Sequence, residues 1–197
     1  DYFTSQDIES IKKINTNPIC IWFPDAISNF QKSMFFTAGY DYLFFKDKYV
    51  VNKLKNEYNL NVYYLPQCCN PKRHQIINLN EKDIKTYGCE ITNVGNLYPS
   101  RAALYRQLTK YHLKMWGSPP AIWLKMPELK KAIMGRIVFN DEKSKAFRAA
   151  KIVLNNMHLA EVEGVNKRTF EIPACGGFQI VSHNNAVDEL FEIGKEI

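Results

Sequence analysis

Short apolar runs alternate with amphipathic segments along the first 66 residues. Each apolar run stops at a proline or a charged pair, and such runs are typical of parallel strands buried on both faces. The segments between them repeat their apolar positions at helical spacing. The predicted strands are 19–23, 40–45 and 61–66. The predicted helices are 1–15 and 48–58, and residues 27–37 are expected to form a short helix or a loop.

The same alternation resumes at residue 89. The predicted strands of this part are 89–95, 113–116, 136–139, 151–156 and 178–181. The predicted helices are 99–111, 141–150, 166–175 and 186–193, with 121–134 irregular or partly helical. Strands that alternate with helices indicate βα units and parallel sheets, so the expected fold class is α/β.

Between these two parts the hydrophobic period disappears. Residues 67–88 are polar and contain one proline, which is typical of a connection between domains. The sequence therefore predicts a first unit over 1–72, a linker over 73–88 and a second unit over 89–197.

Composition and charge narrow the possible partners. The net charge of +6 fits a phosphate-bearing ligand, but lysine and arginine are scattered, so a dedicated nucleic-acid surface is not expected. No apolar run has the length of a membrane span. Five cysteines without framework spacing favour a reducing, cytoplasmic location. Scattered histidines and the absence of a D-x-D pair predict no metal site.

The stretch from Gly164 to Ser182 carries the clearest chemistry, because it places polar side chains inside an apolar segment. It is predicted to form a loop, a short helix, a glycine break and a strand. The helix N-terminus and Arg168, followed by Thr169, can face a phosphate. Glu171 can accept two ribose hydroxyls, and Glu163 precedes it by eight residues. The alternatives are capping by Thr169 and solvated carboxylates, and we expect Glu171→Ala to leave the stability of the free protein nearly unchanged.

A second group follows the predicted strand 89–95. Parallel strands deliver their loops to the carboxyl edge of the sheet, where ligands bind. Gly95 lets the backbone approach a phosphate, with Asn96 beside it. Arg101 lies one turn into the next helix and is expected to reach a pyrophosphate. A plain strand-to-helix turn is the alternative.

Polar residues also end two other predicted strands. Asn156 and His158 follow 151–156 and are expected to line the cleft. Trp116 ends 113–116 and is placed to flank a base. The alternatives are core packing for Trp116 and a structural hydrogen bond for His158.

Four phrases resemble the CgeB-like (spore maturation) family of GT-B glycosyltransferases. They are VGNLYPSRAAL at 94–104, AAKIVLNNMH at 149–158, GVNKRTFEIPACGGFQIV at 164–181 and DELFEIGKEI at 188–197. The resemblance implies two Rossmann-like units that face each other across a cleft, with the donor bound by the second. It implies metal-independent transfer of a sugar from a nucleoside diphosphate sugar, a UDP-sugar foremost, to a hydroxyl of a polysaccharide, glycan or protein. No cofactor is implied, and Glu171 matches the family's ribose-binding glutamate.

The acceptor side and the chain ends are less defined. Asp25 and Asp47 end two strands of the first unit, and either could be the general base; turn-forming aspartates are the alternative. By the resemblance, both ends of the chain are expected to be cut, which would leave sheet edges free for homo-oligomerisation. The alternatives to a transferase are a non-catalytic sugar-nucleotide or polysaccharide-binding module and a sugar-nucleotide epimerase.

Overall fold

The chain folds into two compact units. The computed structural model describes residues 3–26 and 39–197, and the segment expected to be a helix or loop at 27–37 lies outside these ranges. Unit 1 comprises Asp1–Gln67, Met157–Asn166 and His183–Glu196. Unit 2 comprises Cys68–Asn156, Lys167–Ser182 and Ile197. The boundaries differ from those predicted, because 68–88 belongs to unit 2 and two later segments return to unit 1.

The helices and strands are short and alternate along the chain. Those up to residue 64 are α1 (Ser5–Ile14), β1 (Cys20–Phe23), β2 (Tyr42–Phe45), α2 (Lys48–Tyr58) and β3 (Val62–Tyr64). Those between 81 and 116 are α3 (Glu81–Tyr87), β4 (Cys89–Val94), α4 (Pro99–Arg106) and β5 (Leu113–Trp116). The last are α5 (Asn140–Ala149), β6 (Ala150–Asn155), α6 (Arg168–Ala174), β7 (Gln179–Val181) and α7 (Asn185–Leu190).

Unit 1 is built on a parallel sheet in the order β1-β2-β3. The buried side chains that form its core come from the sheet and α2: Phe23, Leu43, Phe45, Val50, Val51, Leu54 and Val62. The rings of Phe23 and Phe45 meet edge to face at 5.8 Å. Asp47 caps the N-terminus of α2, and Asn59 ends it in the left-handed conformation with φ 50°.

Residues 157–166 are held in unit 1 by the end of β2, which explains the altered boundary. The Asp47 carboxylate accepts the N–H groups of Val162 at 3.0 Å and Glu163 at 3.2 Å. Lys46 donates to Glu161 at 2.5 Å, and both side chains are buried. Gly164 pairs with Asp47 in an antiparallel bridge. These contacts join positions more than 100 residues apart in the sequence, so no local sequence pattern predicts them.

Unit 2 is built on a parallel sheet in the order β5-β4-β6-β7. Phe147 and Ile172, both fully buried, pack α5 and α6 in its core. The region predicted as a linker contains α3, which begins with a capping box between Asn80 and Asp83. Tyr87 at the end of α3 is buried in the same core, so this segment is part of the unit.

Two predicted elements of unit 2 are wrong in extent. Residues 136–139 are not a strand: Gly135 turns the chain at φ 66°, and β5 ends at Trp116, so few strand partners remain. The helix predicted over 99–111 ends at Arg106, where the Thr109 hydroxyl hydrogen-bonds its carbonyl and competes with further helical bonding. Because 136–139 is not a strand of the sheet, Ile137 and Phe139 are exposed.

Candidate functional site

A cavity of about 340 Å³ lies at the carboxyl edge of the unit 2 sheet. Its walls come from the loops after β4 and β5, the start of α5, the start of α6 and the segment before α3. The side chains and backbone of these walls include Arg73, His74, Gly95, Asn96, Trp116, Gly117, Phe139, Lys143, Lys167, Arg168 and Glu171. The predicted site residues Gly95, Asn96, Trp116, Arg168 and Glu171 are thus brought together in one place.

The charges around the cavity favour an anionic ligand. Four cationic side chains line it, namely those of Arg73, Lys143, Lys167 and Arg168. Among the described residues, Glu171 supplies the one carboxylate against them. A concave site lined by one sign of charge focuses the field and attracts ligands of the opposite charge. The cavity therefore fits a ligand with one or more phosphates.

Glu171 is 2% exposed and does not stand alone. Its Oε2 pairs with the Lys143 ammonium, and its Oε1 lies 3.3 Å from the His74 Nε2. Burial lowers the pKa of Lys143 from its usual range, while the Glu171 carboxylate opposes that shift. The carboxylate is therefore a fixed, partnered group and not the solvated acid of the alternative reading.

The start of α6 is fixed by a buried hydrogen-bond network around Asn155. Asn155 donates to the Thr169 hydroxyl at 3.1 Å and to the Gln179 side chain at 2.9 Å. Its Oδ1 accepts from the Arg168 Nε at 3.3 Å. Thr169 is fully buried, so its hydroxyl anchors the helix while Arg168 lines the cavity.

Backbone at two glycines packs closely against this site. Gly95 has φ 152°, and a Cβ there would lie 3.0 Å from the Arg168 Nη1 and 3.4 Å from the Arg101 Nη1. A Cβ on Gly117 would lie 2.4 Å from the Gly95 carbonyl oxygen. Both positions therefore require glycine so that the loops after β4 and β5 can approach each other and the two guanidinium groups.

Arg101 and Asn156 brace the loops of the site. Arg101 is 3% exposed and donates to the carbonyls of Asn96 at 2.8 Å and Asn156 at 2.9 Å. The Asn156 side chain accepts from the Tyr105 hydroxyl at 2.8 Å. Burial raises the pKa of Tyr105, which keeps that hydroxyl protonated. These contacts give Arg101 and Asn156 a position that holds the loops of the site, and their expected contacts with a ligand stay predictions.

Trp116 lies between the core and the cavity. It is 3% exposed, its ring is 5.4 Å from that of Tyr87, and the Arg136 guanidinium lies 4.9 Å from its centroid. Its indole N–H is buried, and no residue in the described part of the chain accepts from it. Trp116 therefore combines the core role of the alternative reading with a wall of the cavity.

The remaining candidates belong to unit 1. His158 accepts the Ala160 N–H at its Nδ1, and Glu163 is tied through its backbone to Asp47 and Lys48. Asp47 is 3% exposed, and both of its carboxylate oxygens accept backbone N–H groups. Asp25 is exposed and accepts the Ala26 N–H at 2.8 Å.

Arg73 and Lys143 line the cavity but were not predicted from the sequence. Lys143 precedes Phe147 by one helical turn, so it interrupts the buried face of α5, and that interruption was a readable signal. Arg73 stands in an aperiodic polar segment that offered no such signal. Over the described residues, no three histidine, cysteine or acidic side chains are grouped as a metal site would need.

In open parallel α/β sheets, ligands bind in the crevice outside the carboxyl ends of the strands, which is where this cavity lies. Residues 100–197 match the family described as glycosyl transferase-like. The fold is similar to two solved UDP-forming α,α-trehalose-phosphate synthases, from Burkholderia vietnamiensis (TM-score 0.57) and Burkholderia xenovorans (TM-score 0.55). Each is 11% identical over 94% of this chain.

These comparisons confirm the expected α/β fold of GT-B type. The chain spans 56% and 57% of the two solved proteins, little more than half their length. No curated protein matches the sequence. The CgeB-like assignment stays a prediction. In the ranges that the structure describes, every helix is too short or too polar to cross a bilayer.

Proposed function

We propose that this chain carries the donor site of a glycosyltransferase that uses a nucleoside diphosphate sugar, with a UDP-sugar as the first candidate. The observation that supports this most is the basic cavity with a single buried carboxylate, formed largely by the part of the chain that matches the glycosyl transferase-like family. The acceptor is a hydroxyl of a polysaccharide, glycan or protein, and the CgeB-like family is the proposed relationship.

The diphosphate lies against Arg168, Lys167 and the loop at Gly95 in this proposal. Arginine and lysine form charge-assisted hydrogen bonds with phosphate oxygens, and a glycine loop lets a phosphate approach the backbone. As the bond between the anomeric carbon and the diphosphate breaks, charge grows on the leaving oxygen. Cations already fixed around that oxygen stabilise it without reorganisation.

The nucleoside occupies the other side of the cavity. Glu171 accepts the ribose hydroxyls, and the exposed ring of Phe139, with Trp116, offers an aromatic surface to the base. The acceptor hydroxyl attacks the anomeric carbon and loses its proton to a base. Of the two candidates for that base, Asp25 is exposed and Asp47 is buried, so we propose Asp25.

Two measurements test the proposal. A thermal-shift panel of UDP-, GDP-, ADP- and dTDP-sugars should identify the donor, since a bound ligand raises the melting temperature. Release of the nucleoside diphosphate in the presence of acceptors then separates a transferase from a non-catalytic binding module, which would bind without turnover. The absence of any nucleotide-induced shift at millimolar concentration would refute the donor site.

Glu171→Gln should weaken nucleoside diphosphate binding by about 1–3 kcal/mol, the range for lost hydrogen bonds to a charged group. Isothermal titration calorimetry measures this directly. The structure corrects one expectation: because Glu171 is buried beside Lys143, Glu171→Ala would leave a buried cation unpaired and lower stability. The glutamine variant is therefore the informative one, and unchanged affinity in it would remove Glu171 from the site.

Donor binding should survive EDTA, because the four cations around the cavity supply the positive charge that a divalent ion would otherwise bring. The dissociation constant of the preferred donor, measured with EDTA and with added magnesium or manganese, should change less than about threefold. A strict requirement for either ion would show that the diphosphate is held differently.

A further inference from the structure

Both oxygens of the Glu171 carboxylate are held by cavity-lining side chains from different elements. Lys143, on α5, pairs with Oε2. His74, in the segment before α3, approaches Oε1 with its Nε2 at 3.3 Å. The Glu171 side chain is 3% exposed, so this pairing takes place out of bulk water and fixes the rotamer of the acid.

The two ring nitrogens of His74 face different partners, and Nε2 faces the Glu171 carboxylate. The other ring nitrogen, Nδ1, lies 3.0 Å from the Asn70 N–H and 3.1 Å from the Asn70 carbonyl, so it can accept or donate there. An unprotonated Nε2 would direct its lone pair at a carboxylate oxygen, which is repulsive. A ring that carries a proton on Nε2 therefore supports the Glu171 carboxylate at this distance.

The turn that carries His74 is itself rigidly bonded. The backbone N–H groups of Arg73 and His74 both donate to the Asn70 carbonyl, and the Asn70 side chain accepts from Lys72. Farther along the same segment, Ile76 packs against Gly176. A Cβ added to Gly176 would lie 3.3 Å from the Cγ1 of Ile76. The imidazole is thus placed by its own segment and not by Glu171 alone.

We propose that His74 and Lys143 are positioning residues that aim Glu171 at a ribose diol and so select ribonucleotides over deoxyribonucleotides; this rests on the proposed donor site. A carboxylate offers about four acceptor sites, two on each oxygen. With the Lys143 ammonium at one oxygen and the His74 ring at the other, each oxygen keeps a further acceptor site for a hydroxyl. Two parallel acceptor sites match the adjacent 2′ and 3′ hydroxyls of ribose, and a site built to bind hydroxyls rejects analogues that lack them.

The test compares dissociation constants of UDP and GDP with those of their 2′-deoxy counterparts by calorimetry. The unmodified protein should prefer the ribonucleotide by about tenfold or more, the factor expected for a hydrogen bond to a charged group. In His74→Leu and Lys143→Met the preference should fall below about threefold. His74→Gln keeps an N–H donor and should retain most of it.

Lys167→Met is the matched control, because it removes a cavity-lining charge of the same kind, one that the proposed donor site assigns to the diphosphate and not to the ribose. It should weaken ribonucleotide and deoxyribonucleotide binding by the same factor. Circular dichroism confirms that each variant is folded. If Lys143→Met does not fold, the comparison between ribonucleotide and deoxyribonucleotide rests on His74→Leu. A preference that persists unchanged in His74→Leu would overturn the positioning role, whereas failure of the unmodified protein to bind any of these nucleotides would overturn the donor site itself.

Discussion

Lys46→Met should lower the free energy of unfolding by about 3–5 kcal/mol, the range for breaking a buried ion pair from one side. Lys46 and Glu161 are 3% and 6% exposed at their side chains. The other carboxylate oxygen of Glu161 is also buried, and nothing in the part of the chain that the structure describes donates to it. Without Lys46 the carboxylate would be a buried charge with no partner. Denaturant unfolding followed by circular dichroism measures the loss.

Two further variants separate this mechanism from a general sensitivity to charge removal. The double variant Lys46→Met/Glu161→Leu removes both charges and should regain most of the lost stability. Lys12→Met breaks the exposed pair with Asp41, also in unit 1, and should cost less than about 1 kcal/mol. Equal losses for Lys46→Met and Lys12→Met would show that burial of the Lys46 pair contributes nothing.

The strands were predictable where a short apolar run coincides with a sheet position. Residues 42–45 lie within a predicted run because their strand is encoded locally, by consecutive apolar residues. The run at 136–139 has the same composition and failed, because strand formation also needs a neighbour to pair with. The Arg136 carbonyl accepts the Gly117 N–H just beyond the end of β5, and among the described residues no strand pairing follows over 137–139.

The candidate site was predictable in part for a similar reason. Gly95, Arg168 and Glu171 stand out as polar or glycine positions that follow strands or begin a helix, and all three line the cavity. The partners of Glu171 could not be predicted from local sequence, because they come from distant segments. His74, for example, lies 97 residues before Glu171. The return of 157–166 to unit 1 depends likewise on Asp47, whose bonding is non-local.

Asp47→Asn should lower the free energy of unfolding by about 2–5 kcal/mol, which combines the loss of a helix cap with unsatisfied buried N–H groups. One carboxylate oxygen of Asp47 accepts from Tyr49 and Val50 at the start of α2. The other accepts from Val162 and Glu163. An asparagine must turn its NH₂ group toward one of these two sets of donors, so either orientation places donor against donor. Thermal and denaturant unfolding measure the effect.

The same variant separates a structural Asp47 from a catalytic one. A general base would lose turnover when changed to asparagine while the protein kept its stability, because catalysis needs the proton acceptor and folding does not. Asp47 should show the reverse, with stability lost and turnover for each folded molecule retained. Asp25→Asn is the matched control: Asp25 is exposed, so its stability should change by less than about 0.5 kcal/mol, and turnover should fall if Asp25 is the base. A stable but inactive Asp47→Asn would return the role of base to Asp47, and its hydrogen bonds to 162 and 163 would then be the contacts that orient it.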